Sequence, residues 1–336
     1  MNIKDVYLDT LKELGYSETE ARFLYIVGTH SGYFTSQQYL DFAAVKRGYR
    51  SAAIIQKILA KKHASAEIHQ KNARIYHLFS RKVYSAIGKE NIRNRRDHEF
   101  QFITTRLLAL DFIMANRQHD YFETEDDKLR YFCEGLGVER QALPAKLYLG
   151  TRNPSITSRY FVDKFPMFLT QGTVSPIVTF TYIVPEAQNL VAFVTHLQNY
   201  LPLFRNLKQF NFLFLSPCEP LFPNARAIFS SMVKSPLETP CISEIRRYFR
   251  VRKLWESKQF AALTTEDVEF LNEATRRFAA RRVQELYKCW AKGELPDSNL
   301  ASFFTDSNGQ RRVGFATCRM KRQRFLPAGI AAYAEH

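Results

Sequence analysis

The sequence predicts a mixed chain, α+β and α/β in class, in three parts: a small helical module closed by a β-hairpin, a central layer of alternating strands and helices, and a helical end. Three observations predict it. Within residues 1–90, three short helical patterns end in a basic segment and an alternating two-strand pattern follows. The middle alternates β-branched and aromatic runs of strand length with amphipathic stretches, the mark of an α/β layer with a mixed sheet. The charge is also divided: residues 1–98 hold 17 Lys and Arg against 9 Asp and Glu, residues 99–240 hold 13 against 13, and residues 241–336 hold 18 against 11.

The first module begins at Ser17-Glu18-Thr19-Glu20, a capping box in which the Ser17 hydroxyl accepts from the Glu20 amide and Glu20 reaches back to the Ser17 amide. Ala21, Leu24, Tyr25 and Gly28 follow at i, i+3, i+4 and i+7, one buried stripe. Thr35 and Ser36 cap a second short helix whose Tyr39, Leu40 and Ala43 face the first, and Lys46-Arg47-Gly48 breaks it. A third helix is expected from Arg50 or Ser51 to Lys62, with Ile54, Ile55, Ile58 and Leu59 inward and Arg50, Gln56, Lys57 and Lys61 outward. Two strands, Ala64 to Ile68 and Arg74 to Leu78, flank the polar loop His69-Gln70-Lys71-Asn72.

Three helices and a hairpin wing are the order of a winged helix, expected over residues 1–90. In such a module the third helix enters the major groove of double-stranded DNA. The candidate contacts are Arg47, Tyr49, Arg50, Ser51, Gln56, Lys57 and Lys61, with His69, Lys71, Asn72 and Arg74 offered by the wing. Arg suits a bidentate contact with guanine and Gln one with adenine, whereas Lys57 and Lys61 can serve as phosphate anchors without sequence information. The plainer alternative is a small helical cap that makes only protein contacts.

The net charge of +15 favours a polyanionic partner, and its placement at both ends of a neutral middle gives two anionic contacts or one long one. Cys133, Cys218, Cys241, Cys289 and Cys318 are odd in number and far apart, without a C-x-x-C pair, so reduced thiols and a cytoplasmic protein are expected. No stretch approaches the ~18 apolar residues needed to span a bilayer, and no membrane partner is expected.

The middle part is expected over residues 98–240. Asn91 to His98 is a polar basic linker, and Phe102, Thr105, Leu108, Ala109, Phe112 and Ile113 keep a helical period from His98 to about Asn116. Glu123 to Arg130 reads as an acidic, solvated turn, Tyr160 to Asp163 as a short strand, and Phe165 to Leu169 as another. Ile177 to Val184 is a strand, Ala187 to Tyr200 a helix with Leu190, Phe193, Val194 and Leu197 inward, Phe210 to Leu215 a strand covered on both faces, and Ala225 to Val233 a short helix.

This is the order of a restriction-endonuclease-like core. Such a site needs an Asp at the end of one strand and (Asp or Glu)-x-Lys on the next, because two carboxylates hold Mg²⁺ and the Lys orients water. Asp163 fits the first place, but Val178 to Val184 carries neither carboxylate nor Lys. A metal-dependent nuclease would need a displaced site of Glu99, Asp163 and Glu186; the preferred reading is a degenerate scaffold in which Asp163 and Glu186 are turn residues. His196, alone on its helix, is expected to be satisfied or exposed rather than a ligand. No phosphate loop, nucleophile elbow, H-E-x-x-H or dinucleotide fingerprint is present, so no cofactor and no metal are expected.

The hairpin edge Arg74-Ile75-Tyr76-His77-Leu78, the helix starting Ser80-Arg81-Lys82, the polar linker, His98 and the nuclease-like order together resemble the replication-relaxation family of bacterial plasmids and integrative elements. The resemblance covers the first two thirds of the chain. It implies DNA binding on a mobile element rather than a particular reaction.

Residues 241–336 are expected to form a basic helical region and tail. Ser243 to Lys253 starts a helix that mixes aromatic residues with Arg246, Arg247 and Arg250; a second, from the Thr264-Thr265-Glu266-Asp267 cap to Trp290, carries Arg276, Arg277 and Arg281. A hairpin, arm or flexible tail follows with Arg319, Lys321 and Arg322. The expected function is a non-catalytic DNA-binding protein of a mobile element, a transcriptional regulator or a replication or transfer factor, acting as a homodimer or in a larger complex. The alternatives are the displaced-site nuclease and a protein-interaction adaptor.

Overall fold

The computed structural model describes the chain apart from residues 2, 46–48, 69–73, 150–155, 164, 171–175, 187–188, 235–241, 280, 305–310 and 322–336, with backbone alone at 49–51, 149, 156, 276–277, 282 and 304. The fold is mixed α+β, with a mixed sheet at its centre.

Helix α1 (Asp5–Glu13) precedes α2 (Glu18–His30), which opens with both halves of the Ser17/Glu20 capping box. A second capping box, Thr35 with Gln38, opens α3 (Ser36–Ala43). Helix α4 (Tyr49–Ala60) turns Ile54, Ile55 and Ile58 into the core. Strand β1 (Tyr33–Thr35) lies beside the hairpin of β2 (Ala64–Ile68) and β3 (Arg74–Leu78), giving an antiparallel sheet of order β1-β3-β2. The two hairpin strands have the bounds expected from sequence. The third strand was not expected, because three residues carry too short an alternation to read. Helix α5 (Arg81–Ala86) then returns to α1 and buries Val83 and Tyr84.

The long helix α6 (Phe100–Ala115) is buried along most of its length. Short strand β4 (Asp120–Tyr121) and helix α7 (Glu125–Leu129) follow, then the hairpin β5 (Ala145–Leu149) and β6 (Ile156–Tyr160). Strands β7 (Met167–Thr170) and β8 (Ile177–Ile183), helix α8 (Val191–Phe204), strand β9 (Gln209–Ser216) and helix α9 (Phe222–Phe229) complete the central layer. Helices α10 (Ile242–Glu256), α11 (Thr265–Arg277), α12 (Arg281–Ala291) and α13 (Asp297–Phe304) gather apart, and β10 (Arg312–Arg319) closes the described chain.

Three expectations are corrected. Residues 312–319 are neither hairpin nor tail: β10 lies parallel to β9, from Arg312 opposite Gln209 to Arg319 opposite Ser216, at the edge of a sheet ordered β10-β9-β8-β7-β4. Val313 and Phe315 pack into the core that holds Phe212 and Phe229, so alternating apolar residues draw the segment into the sheet. The Thr264 helix does not reach Trp290; it is divided into α11 and α12 around Phe278, whose ring is buried against Tyr248. The strand placed at Tyr160 to Asp163 ends instead at Tyr160. Phe161 adopts φ 49°, a left-handed conformation that turns the chain away from the strand, and leaves Asp163 beyond its end.

Both faces of the central sheet are covered. Phe210, Phe212 and Phe214 of β9 alternate into a core with Phe193, Leu197, Phe204 and Phe229, while Leu215 faces a second core shared with the N-terminal module and with Ile183, Phe168 and Met320. Each fully buried ring contributes about 1.5–3 kcal/mol of transfer free energy. Helix α6 forms the seam. Gln38 donates to Leu107 O at 2.9 Å and Asp111 Oδ1 at 2.7 Å, while Tyr33 stacks on His77 with centroids 4.4 Å apart and packs with Ile75 against Ile103 and Leu107. Asn94, fully buried, donates to Gly28 O and Thr29 O at 3.1 and 2.9 Å and accepts from Arg106 at 3.2 Å. The expected boundary between residues 90 and 98 therefore crosses a packed seam.

Candidate nucleic-acid interface

The apolar triad Ile54, Ile55 and Ile58 fixes the roll of α4, and Ala52, Gln56 and Ala60 fall on the opposite, exposed stripe at intervals of four. Two cations follow: Lys61 and Lys62 are exposed at the helix end and form no ion pair among the described residues. The hairpin next to it is buried at its base and open towards its loop, from Ala64 and Leu78 inside to Ala66, Glu67, Ile68 and Arg74 outside. The exposed stripe of α4 and the open end of the hairpin are thus tied to one core.

Lys57 is placed differently from its expected role. Its ammonium lies 2.6 Å from Glu20 Oε2, and Glu20 also holds the Ser17 amide, so the lysine fastens α4 to the start of α2. Glu20 is buried; removing Lys57 would leave that carboxylate without its counter-ion. Arg47, His69, Lys71 and Asn72 lie outside the described residues, and so do the side chains of Tyr49, Arg50 and Ser51, whose backbone lies in the first turn of α4.

In the C-terminal region four of the six described cations named from sequence already face a carboxylate or carbonyl. Arg247 reaches Asp267 at 2.8 Å and Glu266 at 3.6 Å, and its guanidinium lies 4.5 Å from the Phe270 ring centroid. Arg281 pairs with Glu285 at 2.8 Å, Arg319 with Glu219 at 3.3 Å, and Arg246 donates to Asp297 O at 3.2 Å. Arg250 and Lys321 are exposed; the side chains of Arg276 and Arg277, and all of Arg322, lie outside the described residues.

The displaced nuclease site is not assembled. Among the described residues no three His, Cys, Asp or Glu side chains converge as a metal site, so Glu99, Asp163 and Glu186 are not brought together. Glu99 is exposed at the start of α6. Asp163 instead meets His196, whose Nδ1 lies 3.1 Å from Asp163 Oδ2. His196 is buried among Phe165, Tyr182 and Tyr200, so it is a satisfied core histidine, as a lone helical His is expected to be. Burial opposes ionisation of Asp163, but the hydrogen bond and charge of His196, with Lys146 and Lys128 nearby, hold its carboxyl below the usual range.

Sequence reading missed Lys128. It placed Glu123 to Arg130 in a solvated acidic turn, whereas Thr124 and Asp127 form a capping box for α7 and the helix carries the Lys128 side chain inward. The capping pattern was there to be read; the burial was not. Burial pushes the Lys128 ammonium down to about 8, against the opposing pull of Asp163 and Glu125. Burial likewise pushes Arg106 down to about 10, still a cation at neutral pH.

No family, curated protein or solved structure matches the chain. No helix among the described residues is long and apolar enough to cross a membrane.

Proposed function

We propose that this chain binds double-stranded DNA without catalysing a reaction on it, through a winged helix in which α4 is the recognition helix and the β2–β3 hairpin the wing. The observation that carries this reading is the exposed stripe of α4, with Gln56 at its centre and Lys61 and Lys62 beside it, next to a hairpin that opens outward. A helix about 10–12 Å across with its side chains fits the major groove, where Gln can take adenine bidentately and Lys can neutralise phosphates. The resemblance to the replication-relaxation family supports a role on a mobile element, as regulator or as replication or transfer factor. The central sheet then serves as the body against which the reading head is held, and the separation of Glu99, Asp163 and Glu186 favours a body without nuclease chemistry.

The test is selection of bound duplexes from a randomised DNA library by the full chain, repeated with Gln56→Ala. A recovered sequence preference that weakens at one or two positions in the variant, by about 1–3 kcal/mol of discrimination, is the expected result. Equal recovery of all sequences by the wild type would remove the reading-head role, and no recovery at all would remove DNA binding.

A further inference from the structure

At the seam between the N-terminal module and the central layer lies a cavity of about 310 Å³. Its walls come from the end of α2, the segment that carries Lys89 and Arg93, Arg106 of α6, Glu125 and Lys128 of α7, and the turn at Phe161. It is thus bounded by both halves of the seam. Its volume lies at the small end of the range of small-molecule sites.

Of the described cations of the wall, Lys89, Arg93, Arg106 and Arg159 each have a polar partner and Lys128 has none. Lys89 meets Glu123 at 2.8 Å and Arg106 donates to Asn94 Oδ1 at 3.2 Å. Glu125 accepts from the Tyr160 amide at 2.8 Å through one oxygen, and Arg159 lies 3.7 Å from the other. Asp126 is exposed, and neither it nor Glu90 pairs with Lys128. Lys128 is only 7% exposed, and its ammonium makes no hydrogen bond or ion pair among the described residues. Its Nζ lies 5.5 Å from the centroid of the Phe161 ring, and Phe161 is itself held in a left-handed backbone conformation. Asp163, the carboxylate whose field acts most on Lys128, is held by His196 instead.

A buried ammonium has three donors and costs free energy until acceptors meet them. The carboxylates of this wall do not reach it, a second cation, Arg93, lines the same cavity over the Tyr148 ring, and the space is large enough for a ligand to bring the acceptors in. Strained backbone beside an unsatisfied charge is a pattern found at ligand sites. We propose that the cavity binds a small organic anion whose phosphate or carboxylate group is received by Lys128. The site is separate from the DNA-reading face and does not rest on it.

Calorimetric titration of the full chain with inorganic phosphate, glycerol 3-phosphate and succinate, at matched ionic strength, tests the proposal and separates the two head groups. Saturable one-to-one binding of at least one probe is expected, weakened roughly tenfold to a hundredfold in Lys128→Met, the worth of one charge-assisted hydrogen bond, and less in Lys128→Arg. No saturable binding of any probe overturns it, as does unchanged affinity in Lys128→Met. A measurement on the wild type alone covers the case in which the Met variant does not fold: acetylation of Lys128, followed by mass spectrometry, should slow when the probe is bound. Equal labelling with and without the probe is the contradicting result.

Discussion

In the C-terminal helices Arg247, Arg252 and Arg281 each face a carboxylate of their own cluster, whereas Lys61, Lys62, Arg81 and Lys82 of the N-terminal module are exposed and form no ion pair among the described residues. The two regions carry similar formal charge, and in each of them four described cations form ion pairs. They differ in attachment. The N-terminal core runs on into the sheet through Leu108, Phe168, Ile183, Leu215 and Met320, while α10 to α13 close a separate core around Tyr248, Phe249, Phe278 and Leu300. Formal charge alone therefore does not tell the two regions apart as sources of the proposed DNA affinity. Deleting residues 1–90 would remove most of the core that α6 and the sheet share with the N-terminal module, so point substitutions are the way to separate the regions.

The largest effect expected is on the seam. Gly32 has φ 82°, and a Cβ there would stand 2.2 Å from the Asn94 backbone oxygen. Gly32→Ala should cost more than about 4 kcal/mol and lower hydrogen-exchange protection in the N-terminal module and the central sheet together. Phe249→Ala should cost about 3–5 kcal/mol, with reduced protection confined to α10 to α13. Matching reductions across the whole chain in both variants would break the distinction between a shared and a separate core.

A smaller effect concerns Lys128, the cation buried inside the seam. It titrates at about 8 in the fold against an ordinary 10.5, so between these values the unfolded chain binds the more protons and stability rises with pH. The buried tyrosines, raised by burial, keep their protons in the fold and reverse the trend above their ordinary 10. Between about 8 and 10 the lysine should contribute a rise on the order of 2 kcal/mol. Lys128→Met should be the more stable protein at pH 7 and should lack this rise; the difference between the two denaturation series isolates the lysine. Parallel series would show that Lys128 is not desolvated.

The smallest effect should come from the C-terminal surface. Because Arg247 and Arg281 already have carboxylate partners, Arg247→Ala with Arg281→Ala should leave DNA affinity within error and shift the melting temperature little. A tenfold drop in affinity would restore this region as a DNA contact.

What could be read from the sequence was local. The Ser17 box, the apolar face of α4 and the bounds of β2 and β3 depend on residues within a few positions of one another. What could not be read depends on distant pairing. Strand β10 joins β9 across about a hundred residues of intervening chain, and nothing in Arg312 to Arg319 specifies that neighbour. Lys57 looks like any outward lysine until Glu20 is folded against it, and Lys128 looks solvated among acidic residues until the Phe161 turn closes over it. The partner of Asp163 was sought on a neighbouring strand, but it lies on α8.

The most direct test of the division between the two basic regions is the salt dependence of DNA affinity, measured for the wild type, for Lys61→Ala with Lys62→Ala, and for Arg247→Ala with Arg281→Ala. Each phosphate that a variant no longer neutralises lowers the slope of log affinity against log salt by about 0.9. The lysine pair should lower it by about 2 and the arginine pair should leave it unchanged. A slope that falls with the arginines and not with the lysines would contradict the account.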